Sequence, residues 1–207
     1  ALERERARIA RDLHDQLGAN LTRISLLGEM VEGDKAEPAE VETHAHQISK
    51  TAGETQRALD EIVWAANPAN DTLEGLANYL CKYSQEFLTT AGLSCRLDVP
   101  AGLPPTPIAP DFRHNFFLVA KEALNNVAKH AQASSVRFQI RLEGGQLVVE
   151  IEDDGRGPAA AATAEERGRN GLRNMRRRME DVGGSFSLGQ GAEKGTLVRL
   201  AAPLTPI

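Results

Sequence analysis

Apolar residues recur at alternating three- and four-residue intervals through the first third of the chain. The first run extends over residues 10–31 and the second over residues 41–66. This spacing is typical of helices that pack along a narrow apolar seam. Between the runs, Gly33, Asp34 and Pro38 indicate a turn and a new helix start. The two seams comprise Ala10, Leu13, Leu17, Asn20, Ile24, Leu27 and Val31 in the first run, and Val41, Ala45, Ile48, Ala52, Thr55, Leu59, Ile62 and Ala66 in the second.

This pattern predicts an all-α antiparallel hairpin at the start of the chain. A two-helix hairpin leaves apolar surface uncovered, so two copies are expected to pair as a four-helix bundle. The polar Asn20 within the first seam is typical of a residue that specifies register or partner. Pro68 cannot be carried inside the second helix and restricts Asn67 before it. The predicted domain boundary therefore separates residues 1–67 from residues 68–207.

The remaining residues alternate between helical and strand periodicities. The predicted helices cover Leu73–Thr90, Asp111–Ala131 and Leu172–Val182, and the predicted strands cover Ser94–Val99, Val136–Leu142, Leu147–Ile151 and two segments around Phe186–Leu188 and Thr196–Leu200. Residues 158–169 have no apolar face and predict a mobile loop. Five prolines over residues 100–110 resemble an interdomain linker, but one helix and one strand before them are too little for a separate core. Half-buried strands with helices predict an α+β two-layer sandwich with a mainly antiparallel sheet.

Composition places the chain among ordinary globular proteins. Of its 207 residues, 41% are hydrophobic and 26% are charged, which argues against a disordered or membrane-embedded chain. A formal net charge of -5 disfavours nucleic acid as the main partner. No apolar run approaches the roughly 20 residues that cross a bilayer, and the N-terminus lacks a signal-peptide pattern. Cys81 and Cys95 lack metal-binding spacing, which indicates reduced thiols in a reducing compartment.

The first candidate for chemistry is the pair His14 and Asp15 in the segment RIARDLHDQLGANL. In the heptad pattern of the first seam, His14 borders the core, and its ring stays accessible to solvent. A neighbouring carboxylate can hydrogen-bond one ring nitrogen, set the tautomer and stabilise a cation that forms on the ring. By itself, such a pair is also compatible with an ordinary solvated helix surface.

A second candidate lies on the helix predicted over residues 111–131. Glu122, Asn126 and Lys129 are spaced i, i+4 and i+7, which places a carboxylate, an amide and an ammonium on one strip of an α-helix. Magnesium binds few protein oxygens and completes its shell with substrate phosphates, and an asparagine carbonyl suits this role. The alternative interpretation is a solvated polar face.

The exit of the strand over residues 147–151 supplies a third candidate. By strand alternation, Asp153 shares the face of the apolar residues, so its carboxylate needs a donor such as an adenine amino group. Gly155 and Gly157 leave room for a flat ligand, although glycine-rich strand exits are also common turns. Downstream arginines suit either a polyphosphate or a basic solvent face: Arg167, Arg169, Arg173, Arg176, Arg177 and Arg178.

Five segments together resemble a known protein family. ERARIARDLHDQLG is similar to the phosphoacceptor box of bacterial two-component sensor histidine kinases, in the subfamily whose partners are LuxR-type response regulators. KEALNNVAKHA resembles the N box of their ATPase domain. DDGRG, NGLRNMRRRMEDVGG and KGTLVRLAAPL resemble its first, second and third glycine boxes. The segments follow the family's order and cover the chain from about Glu3 to Leu204.

The resemblance implies a dimerisation and histidine-phosphotransfer hairpin over residues 1–67 and an ATP-binding catalytic domain of GHKL, or Bergerat, fold over residues 68–207. It implies a homodimer that uses ATP and Mg²⁺ to phosphorylate its own histidine. The phosphoryl group is then expected to pass to the receiver domain of a response regulator with a LuxR-type helix-turn-helix output. Direct nucleic-acid binding is not expected. The implied location is cytoplasmic, as a fragment of a sensor that reaches the membrane only through regions absent from this chain.

The resemblance also assigns roles to individual residues. The implied catalytic residues are the phosphoacceptor His14, its proton-handling partner Asp15 and the positioning carboxylate Glu122. The implied nucleotide-binding residues are Asn126, Lys129, Asp153, Gly155, Gly157, Gly171, Gly195 and Thr196. Among these, Asn126 is the implied Mg²⁺ ligand, Lys129 a phosphate contact and Asp153 the residue that reads adenine.

The chain departs from the family pattern at three places. Arg169 occupies the first glycine position of the second glycine box, with Gly168 one place earlier. Glu193 occupies the first glycine position of the third box, with Gly191 two places earlier. Ala19 occupies a position where phosphatase members often carry glutamine, so dephosphorylation of a partner is not predicted.

Three other function classes are weighed against this expectation. A dimeric nucleotide-binding scaffold that signals by shape would bind ATP without covalent labelling. A GHKL ATPase would hydrolyse ATP to drive clamp closure, but the chain is small and has no transducer domain. A nucleic-acid binder with a basic patch is disfavoured by the net charge and by the lack of aromatic residues among the arginines.

Overall fold

The computed structural model describes residues 17–31, 38–157, 165–192 and 194–204, with the backbone alone at 66 and over 165–170. These residues fall into two compact units that divide after Pro68. No helix among them is both long and apolar enough to cross a lipid bilayer.

The first unit is a pair of helices. Helix α1 covers residues 17–31, and helix α2 covers Pro38–Ala66, where it ends before the proline as predicted. Arg23 of α1 and Lys50 of α2 line one shallow cleft, so the two helices lie side by side. Only six residues connect them, which favours antiparallel packing.

The predicted seam of α1 is confirmed where the structure describes it. Leu27 is buried and Ile24 is half-buried, whereas Leu21 and Leu26 on the other side are 51% and 56% exposed. The polar Asn20 is half-buried, as expected for a residue within a seam. The seam residues Ala10 and Leu13, with the candidates His14 and Asp15, lie outside the described residues.

The predicted seam of α2 is wrong in part. The seam residues Ala45, Ala52 and Leu59 are exposed, whereas Thr55 of the predicted seam is buried together with Thr51 and Ala58, which lie outside it. The hydroxyl of Thr55 donates to the carbonyl oxygen of Thr51 at 2.7 Å, so a polar side chain is satisfied within its own helix. Threonine can therefore occupy a buried position that an apolar pattern does not reveal.

The second unit is built on a five-stranded mixed sheet. Its strands are β1 (Ser94–Asp98), β2 (Ser135–Glu143), β3 (Gln146–Asp153), β4 (Ser185–Gln190) and β5 (Thr196–Pro203). Their spatial order is β1-β2-β3-β5-β4, and all neighbours pair antiparallel except β1 and β2. The predicted mainly antiparallel sheet is confirmed. Gly144 and Gly145 both have positive φ and close the β2–β3 turn, as this dipeptide predicts.

Three helices pack on this sheet: α3 (Leu73–Thr90), α4 (Pro110–Asn126) and α5 (Glu165–Glu180). Helix α3 contacts β1 and β2, α4 contacts β3, and α5 contacts β4 and β5. The cross-strand neighbours Phe138, Ile151 and Val198 form one buried row on the apolar face of the sheet. Burial of each such side chain contributes about 1.5–3 kcal/mol, which holds helices and sheet together.

The opposite face of the sheet carries charged side chains. Arginines of β2 and β5 pair there with glutamates of β2 and β3. The pairs are Arg137 with Glu152, Arg141 with Glu143 and Glu150, and Arg199 with Glu143 and Glu150. This face is therefore stabilised by an ion-pair network rather than by an apolar core.

The proline-rich segment belongs to the second unit, as predicted. The backbone N–H of Leu73 donates to the carbonyl of Thr106 at 2.8 Å, and that of Ile108 donates to the carbonyl of Asp71 at 3.0 Å. Ile108 is also buried. These bonds fasten the segment to the start of α3, so it is not a linker between domains.

Two element predictions need correction. The helix predicted over 111–131 is α-helical only to Asn126, and Val127–Ala131 forms a wider π turn. The loop predicted over 158–169 is wrong from Glu165 onward, because α5 begins there. Glutamate and arginine are good helix formers, and acidic residues are favoured in a first turn. These helix propensities favour a helix start without an apolar face, so the absence of such a face did not indicate a loop.

Candidate functional site

Asp153 is the last residue of β3 and is only 3% exposed. It lies opposite Val136 on the face that carries the apolar core, as strand alternation predicts. Its Oδ1 accepts the backbone N–H of Gly155 at 2.8 Å, and this is its one hydrogen bond in the part of the chain that the structure describes. A buried carboxylate is costly without enough donors, so the second oxygen is suited to a ligand.

Glycines surround this carboxylate because the space beside it is too small for side chains. A Cβ at Gly155 would overlap the carbonyl of Ala131, and a Cβ at Gly195 would overlap the carbonyl of Asp153. Gly157 and Gly195 also have φ values of 82° and 80°, a conformation that favours glycine. The loop after β3 and the start of β5 therefore meet around Asp153.

Asn126 stands where α4 changes into the π turn, and its side chain is half-buried. At the other end of that turn, Gln132 adopts the left-handed conformation with φ 51°. The carbonyl of Ala131 accepts the backbone N–H of Arg156 at 2.9 Å. This bond fastens the segment that carries Asn126 to the loop that follows Asp153. Single π turns in α-helices are frequent at functional sites.

Glu122 lies one turn before Asn126 and faces α5. A Cβ at Gly171 would lie 2.8 Å from Oε1 of Glu122, so the Glu122 carboxylate lies close to α5 at this glycine. Lys129 falls within the π turn and is exposed, so the strip predicted from α-helical spacing ends at Asn126. Thr196 is the half-buried first residue of β5, directly after Gly195.

Asp154 helps to hold the end of β3 beside the start of β2, and the sequence analysis did not identify this role. Its carboxylate accepts the backbone N–H of Ser134 at 2.8 Å and that of Ser135 at 3.0 Å, and also the Ser134 hydroxyl at 2.9 Å. These bonds, led by the Ser135 N–H, lower the pKa of Asp154 to about 2. The signal in the sequence was the doubled aspartate, since alternation sends the second side chain away from the core.

The downstream arginines that the structure describes differ in their surroundings. Arg178 donates to the side-chain oxygen of Asn115 on α4 at 3.2 Å, which helps to dock α5. Arg173, Arg176 and Arg177 are exposed. The side chains of Arg167 and Arg169 lie outside the described residues.

Two family models match the chain, one on each unit. The model described as histidine kinase matches residues 5–71, and the model described as histidine kinase-, DNA gyrase B- and HSP90-like ATPase matches residues 113–206. The chain belongs to the histidine kinase family. Its second unit is thus an ATP-binding domain, and Asp153 with the glycines around it lies within the matched residues.

Individual histidine kinases resemble the chain over nearly its whole length. Sensor histidine kinase LiaS of Bacillus subtilis is 26% identical over 99% of the chain and 56% of its own length. The Salmonella typhimurium signal transduction histidine-protein kinase/phosphatase UhpB is 28% identical over 97% of the chain and 39% of its own length. The chain spans about half the length or less of these curated relatives.

Solved structures support the fold. The histidine kinase domain of the blue-light activated histidine kinase from Erythrobacter litoralis EL346 matches with a TM-score of 0.58 and 18% identity, over 94% of both chains. Acinetobacter baumannii histidine kinase AdeS matches with a TM-score of 0.52 and 14% identity, over 94% of this chain and 98% of its own. At these identities the likeness concerns the fold alone.

Proposed function

We propose that the chain is the core of a sensor histidine kinase that phosphorylates His14 from Mg²⁺-ATP and then passes the phosphoryl group to an aspartate of a response regulator. The nucleotide half of the proposal rests on the buried Asp153 carboxylate, which binds Gly155 with one oxygen and leaves the other for a donor. The transfer half is supported by the histidine kinase match over residues 5–71.

In this proposal Asp153 accepts the amino N–H of adenine. Gly155, Gly157 and Gly195 let the loop after β3 and the start of β5 pack closely around Asp153, because a side chain at any of these positions would collide with neighbouring atoms of the chain or be strained. Lys129 is exposed in the π turn that follows Asn126, and its ammonium is proposed to offset phosphate charge. Gly171 and Thr196 border the pocket, from α5 and β5.

Asn126 would hold Mg²⁺ through its side-chain oxygen, with Glu122 as the nearby positioning carboxylate. Amide and carboxylate oxygens are the ligand types that Mg²⁺ prefers, so these residues fit the ion. When bound, Mg²⁺ neutralises charge on the transferring phosphate. The Arg156–Ala131 hydrogen bond keeps Asn126 in one connected piece with Asp153.

The chemical step is attack by a neutral ring nitrogen of His14 on the γ-phosphorus. A nitrogen–phosphorus bond forms, the bond to the oxygen that bridges to the β-phosphate breaks, and ADP leaves. An ordinary imidazole has a pKa of about 6.5, so the neutral form is available near pH 7. Asp15 accepts the N–H of the other ring nitrogen and stabilises the imidazolium, while the rest of catalysis is positioning and charge stabilisation.

A homodimer through the hairpin completes the proposal. Large apolar side chains that are exposed on its helices would be covered by a second copy: Leu21, Leu26, Met30, Leu59 and Val63. The receiving response regulator is proposed to carry a LuxR-type output. The chain is placed on the cytoplasmic side of a membrane-anchored sensor, where ATP is available.

Incubation of the purified chain with Mg²⁺ and ATP labelled at the γ-phosphate tests the proposal. We expect label that survives alkali and is lost in acid, as for a phosphoramidate, and that is absent from His14→Gln. The matched control is His46→Gln, since His46 is an exposed histidine on α2 with no proposed role.

Other outcomes point to other functions. Tight ATP binding without any label would favour a nucleotide-binding scaffold, and release of free phosphate without a labelled intermediate would favour an ATPase. Acid-resistant label, or equal labelling of the His14 variant, would contradict the assignment of the phosphoacceptor.

A further inference from the structure

Glu152 is next to Asp153 on β3 but points to the opposite, charged face of the sheet. Its side chain is 15% exposed. One carboxylate oxygen accepts the backbone N–H of Ala192 at 2.6 Å, and the other binds the guanidinium of Arg137 on β2. Glu152 therefore connects a neighbouring strand to a turn that is distant in sequence.

The turn that Glu152 contacts connects β4 to β5. Within it, the N–H of Gly191 donates to the carbonyl of Gly195 at 3.1 Å. At Gly195 a Cβ would overlap the carbonyl of Asp153 and would lie 2.9 Å from its Oδ1. The same turn is thus held by Glu152 and rests directly against Asp153.

Gly191 gives a second indication that this contact is built into the fold. The residue is buried, and a Cβ there would lie 2.5 Å from the carbonyl of Lys194 and 3.1 Å from Oε1 of Glu152. A side chain at this position would therefore collide with the backbone of the turn itself and crowd the Glu152 carboxylate. The glycine that is displaced from the expected place in the third glycine box makes room for Glu152.

From this geometry we infer that Glu152 is a positioning residue for the nucleotide site, because its carboxylate fixes the β4–β5 turn so that Gly195 stays against Asp153. The inference rests on the proposed function and adds a residue that touches no nucleotide. The Ala192 N–H keeps the pKa of the Glu152 carboxyl below its ordinary value. The acceptor is therefore charged, which makes the hydrogen bond to the turn a strong one.

The test is Glu152→Ala and Glu152→Gln in the full chain, with Mg²⁺-ATP as the probe. Removal of the acceptor is expected to weaken ATP binding about tenfold by calorimetry, and to raise the KM of His14 labelling without lowering its kcat. Glutamine keeps a carbonyl oxygen for the Ala192 N–H, so it is expected to recover most of the affinity.

Two matched controls separate positioning from general stability. Glu150 lies two residues earlier on the same face and binds Arg141 and Arg199, but it has no bond to the turn. Glu150→Ala is therefore expected to lower the Tm with ATP affinity unchanged within about twofold. Arg137→Gln removes the ion pair of Glu152 and leaves its acceptor for Ala192, so it is also expected to bind ATP normally.

The inference is overturned if Glu152→Ala binds ATP like the wild type, or if it loses affinity only as much as Glu150→Ala at an equal loss of Tm. If the alanine variant does not fold, Glu152→Gln and Arg137→Gln are compared instead. Loss of ATP affinity in Arg137→Gln, with affinity kept in Glu152→Gln, would contradict the inference. A wild-type chain that does not bind ATP would instead refute the proposed function.

Discussion

The hairpin and the sheet unit are each incomplete, but in opposite ways. Among the described residues, the hairpin carries five of the seven large apolar side chains that are exposed, whereas the sheet unit holds the Asp153 carboxylate, which is 3% exposed and accepts one hydrogen bond, from Gly155. An apolar surface is completed by another apolar surface, and a buried carboxylate by a hydrogen-bond donor. Under the proposed function, the first unit is expected to bind a second copy and the second unit a small polar ligand.

The largest expected effect comes from placing a charge on the hairpin surface. Leu26→Glu is expected to weaken the homodimer roughly 1000-fold, because a symmetric dimer loses the burial of two leucines at about 1.5–3 kcal/mol each. Light scattering during size-exclusion chromatography measures the change as a shift from dimer to monomer with dilution.

Leu142→Glu is the control for this prediction, since Leu142 is an exposed apolar residue of the sheet unit. Its variant should remain dimeric. If Leu26→Glu and Leu142→Glu dissociate equally, or if neither dissociates, the hairpin is not the unit that forms the dimer.

The next effect concerns the ligand that the sheet unit needs. Asp153→Asn is expected to weaken ATP binding by about 10- to 100-fold, the range for loss of a charged hydrogen-bond acceptor. Calorimetric titration with Mg²⁺-ATP measures it, and the unliganded variant should remain folded because the substitution removes a buried charge.

Glu150→Gln is the matched control, as it makes the same kind of change on the same strand but on the charged face. It should bind ATP as the wild type does. If Asp153→Asn also binds normally, the carboxylate is a structural cap for Gly155 and not a ligand-binding group.

The smallest expected effect is on stability and concerns Asp154, at the edge of the site. Asp154 has a pKa of about 2 in the folded chain against an ordinary 3.8, so its contribution to stability is present above about pH 4 and is lost as pH falls toward 2. Its exposure reduces that contribution to about 1 kcal/mol. Urea unfolding of wild type and Asp154→Asn should differ at pH 6 and converge near pH 2, and a constant difference across this range would exclude the carboxylate as the cause.

Asp153 could be predicted from the sequence because strand alternation depends only on neighbouring residues. The same holds for the bounds of α3 and for the Gly144-Gly145 turn, which are set by local periodicity and by glycine conformation. The assignment of His14 came instead from family resemblance, and it stays a prediction.

The contacts that hold the site together could not be predicted in this way. The bonds from Glu152 to Ala192 and from Arg156 to Ala131 join segments that meet only after the sheet has formed. The packing side of α2 was predicted only in part for a related reason, since Thr51 is buried outside the predicted seam and carries no hydrophobic signal. A pattern of apolar positions predicts neither long-range hydrogen bonds nor the burial of small polar residues.

The π turn after Asn126 amounts to one extra residue accommodated within a helical turn. Removing a single residue between Val127 and Ala131 would replace the wide turn by an ordinary α-helical turn and change which backbone carbonyl lies at the end of the segment. Ala131 would then no longer face the N–H of Arg156. The spacing of this short segment therefore sets the alignment between the N box and the first glycine box, so insertions and deletions there should be far less tolerated than substitutions.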